Sequence, residues 1–285
     1  GTASFRPVEV LLSGLNRPGE RHGTKYTYTA PGYRLKYKDM KDYRNETGRK
    51  LEILMEDKPT GLEVCSNIQF YDGISVIRSW TELKNNGEED LGVEYVSSFA
   101  LLGIDKEGLL STDEKLEVLI ARNAWQKELI WNRFSMDQLG MSISQPDKVR
   151  RSSQTISVGN TGNWSTKNYL PMGCLKNKET DSILFWQIEQ NGSWYWEISD
   201  QDGHMYLQLS GPTEHQSHWW KNLKPGDTFA SVPVSVGSAC GDVEEAAGEL
   251  TKYRRAIRRK NEDNEKLPVI FNDYMNCLWG DPTTE

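Results

Sequence analysis

The amino-acid sequence predicts a mainly β protein built as a large sandwich of antiparallel sheets. Three observations carry that prediction. Short segments alternate apolar and polar side chains, turn residues punctuate them at regular intervals, and a single long stretch shows helical spacing. A chain of 285 residues with 10% aromatics is long enough to bury the core of one large all-β domain.

The strands follow in chain order. Residues 33–37 and 50–55 alternate with period two, the pattern of a half-buried strand. Residues 74–83 are rich in β-branched side chains and lie between Asp72-Gly73 and Asn86-Gly87, both turn signals. Residues 183–189 and 194–198 flank Gln190-Asn191-Gly192-Ser193, and Asn-Gly at that place predicts a tight hairpin. Asp202-Gly203 then turns the chain into a strand over 205–209.

One region has a different period. Asp242 followed by Glu245 forms a capping box, and Val243, Ala247, Leu250, Tyr253 and Ile257 recur at three- and four-residue steps. Acidic residues open this helix, and Arg254, Arg255, Arg258, Arg259 and Lys260 close it, which complements its dipole. A polar linker over 261–266 follows. Leu267-Pro268-Val269-Ile270-Phe271 is a continuous apolar run, the pattern of a parallel strand buried on both faces. Such a strand needs parallel neighbours, so a chain cut at the first strand of a second architecture is expected.

Composition narrows the partners. Lys and Arg number 34 against 41 Asp and Glu, a formal net charge of -7, which argues against a nucleic-acid partner. No apolar run reaches the roughly 18 residues of a membrane span, and the opening residues lack the pattern of a secretory signal. Cys65, Cys174, Cys240 and Cys277 form no CxxC pair and read as reduced, mostly buried thiols of a cytoplasmic protein. His215 and His218 stand three apart beside Glu214, but Pro212 predicts a loop and no third ligand follows, so no metal site is expected. Asp113-Glu114 and Glu88-Glu89-Asp90 read as solvated loops. Asn163-Trp164-Ser165 matches a glycosylation acceptor and reads as accidental in such a protein.

Ten tryptophans raise the question of sugar stacking. Trp194 and Trp196 share one strand face, and Trp219 and Trp220 are adjacent; core or interface packing is the expected role of both pairs. Trp164, after Gly162-Asn163, falls on a loop and is the candidate for an exposed contact.

The run over 267–276 with Trp279-Gly280-Asp281-Pro282-Thr283-Thr284-Glu285 resembles the first barrel strand and loop of family 36 glycoside hydrolases of the α-galactosidase type. Residues 70–87, 152–164 and 185–196 resemble strands of that family's N-terminal domain. The resemblance implies an antiparallel β-supersandwich, galactose-mutarotase-like, over 1–240, a helical linker over 241–266, and the start of a truncated (β/α)8 catalytic domain over 267–285. It implies a parent enzyme that removes terminal α-galactose from oligosaccharides with retention, without cofactor or metal, as a homo-oligomer. The family's two catalytic aspartates lie on later barrel strands, so this fragment is expected to be inactive, with structural, oligomerisation and pocket-shaping roles. Tyr274, where the family commonly has Trp, and Asn276 would sit at the pocket mouth, with Trp164 as a third substrate contact. A free-standing carbohydrate-binding module and an enzyme acting on α-N-acetylgalactosaminides stay open as alternatives.

Overall fold

The computed structural model describes residues 5–15, 25–141, 154–201 and 203–272. The chain opens with β1 (Val10–Leu12) and a single helical turn, α1 (Ala30–Arg34), then runs through the antiparallel meander β2 (Lys36–Arg44), β3 (Arg49–Asp57), β4 (Leu62–Phe70) and β5 (Val76–Asn85). There follow β6 (Leu91–Leu102), the short α2 (Thr112–Lys115), β7 (Leu116–Ala124), β8 (Lys127–Ser135), β9 (Ile156–Asn160), β10 (Tyr169–Asn177), β11 (Ser182–Ile188), β12 (Trp194–Gln201) and β13 (His204–Ser210). The chain closes with α3 (Glu214–Ser217), β14 (Lys221–Leu223), β15 (Thr228–Ala230), β16 (Val234–Cys240), α4 (Val243–Ile257) and α5 (Glu262–Lys266).

These strands form the expected sandwich. A ten-stranded sheet runs β2-β3-β4-β5-β16-β11-β10-β7-β8, with β15 on β5; a six-stranded sheet runs β1-β6-β13-β12-β9, with β14 on β6. Every pairing is antiparallel. Between the sheets lies the core, one half centred on Trp186, Trp194 and Trp196 and the other on Val10, Leu62, Leu83 and Val93. Trp186 and Trp196 come from opposite sheets and meet edge to face, 5.1 Å between centroids. Gly173 makes room for this: a Cβ there would stand 2.5 Å from the Trp186 ring.

Four expectations change. Residues 190–193 do not close a hairpin. β11 pairs β10 and β16, while β12 pairs β9 and β13, so this segment carries the chain from one sheet to the other. Gly192 is not among the residues of positive φ, which a tight primed turn would need. The hairpin lies one strand later, where Gln201 pairs His204 and Gly203 has φ +79°. The strand expected over 33–37 begins only at Lys36, because residues 30–34 form a helical turn that Thr29 caps and whose first turn Pro31 suits. The linker over 261–266 is itself helical where Asn261 caps α5.

Fourth, residues 267–272 form no strand. Val269 is fully exposed and Phe271 is 81% exposed. An apolar run has strand character only when neighbours take up its backbone groups, and none lies beside it among the described residues.

The capping box of α4 is present: Asp242 and Glu245 each accept from the other's end of the first turn. Its buried face is Ala246, Leu250 and Tyr253, so Ala246 takes the place expected for Ala247. That face packs on the outer side of the larger sheet, against Leu119, Cys174, Ile183 and Phe185. Of the cysteines, Cys174 is buried, Cys65 half-buried and Cys240 exposed, all three free; Cys277 lies outside the described residues.

Candidate functional site

A cleft of about 750 Å³ opens between α4 and the outer face of β10 and β11. Alternation in the strands builds its floor. In β11, Ile183 and Phe185 face the helix while Leu184 and Trp186 face the inner core. The helix supplies Ala246, Leu250 and Tyr253 to the other wall. At the rim, Ser165 and Thr166 of the β9–β10 loop stand beside Gln190 and Asn191 of the sheet-to-sheet crossover.

Trp164 belongs to that rim loop. Its indole is 53% exposed, and the loop beneath it is fastened at three points. Asn160 Nδ2 donates to the Trp164 carbonyl at 2.7 Å, Trp194 Nε1 to the Ser165 carbonyl at 2.7 Å, and the Gly162 amide to Ser193 Oγ at 3.0 Å. An exposed aromatic face on an anchored loop can meet a flat apolar surface without first being ordered. Tyr274 and Asn276 lie outside the described residues.

One end of the cleft is charged. Arg78 donates twice to Glu189 Oε2, at 2.7 and 3.0 Å, and the Tyr253 hydroxyl donates to Glu189 Oε1. Tyr71 packs edge-on to the Tyr253 ring at 5.2 Å, and burial raises both phenols. Glu189 is the one carboxylate among the described residues lining the cleft, and its oxygens are engaged. Glycoside hydrolysis with retention takes two carboxyl groups roughly 5 Å apart. Cys174 on the floor is no nucleophile, because burial pushes its thiol up to about 12. The cleft is lined mainly by apolar and aromatic side chains, with its charge gathered at one end.

Trp194 and Trp196 are fully buried in the core, and Trp219 packs on Phe229 at 5.5 Å; Trp220 is exposed. His215 sits on a helical turn where a loop was expected, and His218 ends that turn in a left-handed conformation. Thr213 caps the turn, which is enough to form it despite Pro212. Among the described residues no group of three or more His, Cys, Asp or Glu stands close enough to hold a metal ion.

A second ionisable cluster escaped the sequence reading. On the outer face of the smaller sheet, Glu197 accepts from the hydroxyls of Tyr206 (2.8 Å) and Tyr195 (2.9 Å) and from the Tyr26 amide (3.1 Å). Glu9 accepts from the amides of Tyr28 (2.9 Å) and Thr29 (3.0 Å) and from the Thr29 hydroxyl. Lys25 and Asp200 form a buried ion pair at 2.8 Å, and Tyr26 stacks on Tyr95 at 3.9 Å. Desolvation raises both carboxyls, Glu9 to about 7 against three hydrogen bonds that act to lower it. Raised carboxyls often mark catalysis. Here both are shut away, with Glu197 0% and Glu9 1% exposed, beneath the chain segment they bind. They fasten that segment to the sheet. The sequence signal was a Glu in the middle of an aromatic strand, Tyr195-Trp196-Glu197, where an outward-facing residue reads as solvated.

No family model matches the sequence, and no curated protein matches it. Solved structures do. A variant of the family 36 α-galactosidase AgaA from Geobacillus stearothermophilus, in complex with raffinose, superimposes on 97% of this chain with a TM-score of 0.71 at 15% identity. The family 36 α-galactosidase AgaB of the same organism superimposes on 96% with a TM-score of 0.70 at 15% identity. The α-galactosidase from Lactobacillus brevis covers 89%, with a TM-score of 0.60 at 14% identity. The chain spans 35%, 35% and 29% of those proteins respectively, about a third of their length. It shares the fold of that portion.

Proposed function

We propose that this chain is the N-terminal domain of a retaining glycosidase of the family 36 α-galactosidase type, acting on terminal α-galactosides of oligosaccharides. The observation that supports it best is the shared fold over 96–97% of this chain with enzymes nearly three times as long. The AgaA structures hold raffinose and stachyose, oligosaccharides of the class the reading requires. The sequence resemblance of residues 267–276 and 279–285 to that family adds to it.

On this reading the chain divides into a sandwich over 1–240, a helical linker over 241–266 and the first residues of the catalytic domain over 267–285. The nucleophile and the acid–base carboxyl are supplied by that second domain, and the sandwich alone hydrolyses nothing. Its part is to shape the pocket from one side, with Trp164 on the anchored rim loop and Tyr274 and Asn276 at the pocket mouth. The working compartment is the cytoplasm, and neither cofactor nor metal takes part.

Hydrolysis of p-nitrophenyl α-galactoside by this chain, and by its natural gene product extended through a following barrel, tests the reading. Turnover in the extended protein alone is the expected result. Turnover by residues 1–285 would overturn the division of labour. An inactive extended protein would shift the reading to another α-glycoside, α-N-acetylgalactosaminides first, or to glycan binding.

A further inference from the structure

The two edges of the ten-stranded sheet are finished differently. At one edge β8 is irregular: within it Leu129, not a glycine, has φ of 52°, beside a shift in its register with β7. Arg133 of β8 is tied to Asp242 and Glu117. A left-handed residue breaks the regular row of groups that a further strand would pair with, so that edge is blunted. At the other edge β2 pairs only with β3, and all nine of its residues are exposed. Tyr37 is 67% exposed and Met40 48%.

An open edge is a template for another strand, and proteins commonly guard it with charges of one sign. β2 carries both signs in a self-complementary order, Lys36-Tyr37-Lys38-Asp39-Met40-Lys41-Asp42-Tyr43-Arg44. We propose that β2 pairs antiparallel with β2 of a second copy of this chain across a two-fold axis through Met40.

In that register Met40 faces Met40 and Asp39 faces Lys41 on both sides of the axis. Directly opposed residues must share a sheet face, so the neighbouring registers differ by two positions. One of them sets Asp39 against Asp39 and the other sets Lys41 against Lys41. Like charges directly opposite destabilise a sheet, and opposite charges stabilise it. The central register is thereby selected.

The groups it needs are at hand. Among the described residues Asp39 has no ion-pair partner, its Oδ1 accepting from the adjacent Met40 amide at 2.8 Å. Lys41 is 70% exposed and reaches Glu52 at 3.7 Å. The flanking charges are already paired within the chain, Lys38 with Glu63, Asp42 with Arg49 and Arg44 with Asp72, which leaves Asp39 and Lys41 to set the register. The irregularity between Tyr37 and Asp39 lies to one side of the central three residues. This inference names a surface for the homo-oligomer expected above, and it rests on the strand edge rather than on the α-galactosidase reading.

Sedimentation equilibrium of residues 1–285 tests it with a charge swap. The unaltered chain is expected to dimerise. Asp39→Lys and Lys41→Asp should each weaken association about tenfold or more, since each creates two like-charge pairs. The double variant Asp39→Lys/Lys41→Asp should restore it. Met40→Cys provides a second readout, because a residue opposite its own copy lies within disulfide reach, Cα atoms about 5 Å apart. It should cross-link on oxidation beyond the background of the native cysteines, while Lys36→Cys should not. A monomeric unaltered chain, single variants that dimerise as it does, a double variant no better than the singles, or equal cross-linking at positions 36 and 40 would each overturn the proposal. None of these outcomes touches α-galactoside hydrolysis, so the two readings fail separately.

Discussion

The sandwich has two outer faces, and each is buried at its centre by a different chemistry. On the larger sheet α4 lays an apolar stripe, Ala246, Leu250 and Tyr253, over Leu119, Ile183 and Phe185. On the smaller sheet the N-terminal segment over 25–34 is held by carboxylates, tyrosines and an ion pair. Apolar burial is tolerant, since a shortened side chain loses area but leaves no group unsatisfied. Polar burial is not, because each lost acceptor strands its donors in a low-dielectric interior. The two faces should respond to mutation in different ways.

The sharpest contrast comes from Glu197→Ala. It leaves two tyrosine hydroxyls and the Tyr26 amide without their acceptor, and should cost about 4 kcal/mol in urea unfolding, since each orphaned group costs ~1–3 kcal/mol. A loss under about 1 kcal/mol would mean that the polar face tolerates deletion as the apolar one does. Next comes Leu250→Ala in α4, expected to cost about 3 kcal/mol by transfer and cavity terms. Proteolysis should then cut near α4 before the sandwich opens.

Glu9→Gln separates the faces by pH. The Glu9 carboxyl is raised from its ordinary value to about 7, so the folded chain holds a proton there that the unfolded chain has released. Its contribution is therefore greatest below the unfolded value near 4.5 and is lost as pH rises through about 7. Between pH 5 and 7.5 the parent chain should lose about 2 kcal/mol of stability that Glu9→Gln does not. Parallel slopes in urea titrations would remove Glu9 from this role. Leu250→Ala should leave the slope unchanged. The smallest effect is expected from Trp164→Ala, within about 0.5 kcal/mol on stability because the loop is fastened by backbone carbonyls. If the proposed function holds, the same change in the extended protein should raise KM for raffinose; unchanged kinetics and assembly would remove Trp164 from the proposed substrate contacts.

The same contrast explains what the sequence disclosed. α4 was legible in outline because a capping box and a 3.6-residue stripe are local patterns, and Trp164 was placed on an exposed loop by Gly162-Asn163. Fold class was legible because period-two alternation survives in β3, β5 and β13. The crossover at 190–193 was not, because Asn-Gly records a permitted turn and not which strands pair. Nor was the Glu9–Glu197 face: alternation marks Tyr195, Glu197 and Ser199 as outward, and no local pattern tells that 25–34 will cover them. The buried acids are joined to their donors by contacts spanning up to 175 positions, which a window of neighbours does not contain.

The join between β5 and β16 sets an order of events for the growing chain. Ser79 pairs with Val234, so the meander β2–β5 leaves the ribosome long before the strand that completes its inner edge. Until β15 and β16 arrive, one flank of β5 has no partner in the finished ladder and must avoid the wrong one. Such distant pairing makes folding slow, and the interval of exposure lengthens with every residue synthesised between the two strands. The open flank of β5 is thus exposed through the synthesis of residues 86–227, the interval over which a wrong partner can reach it.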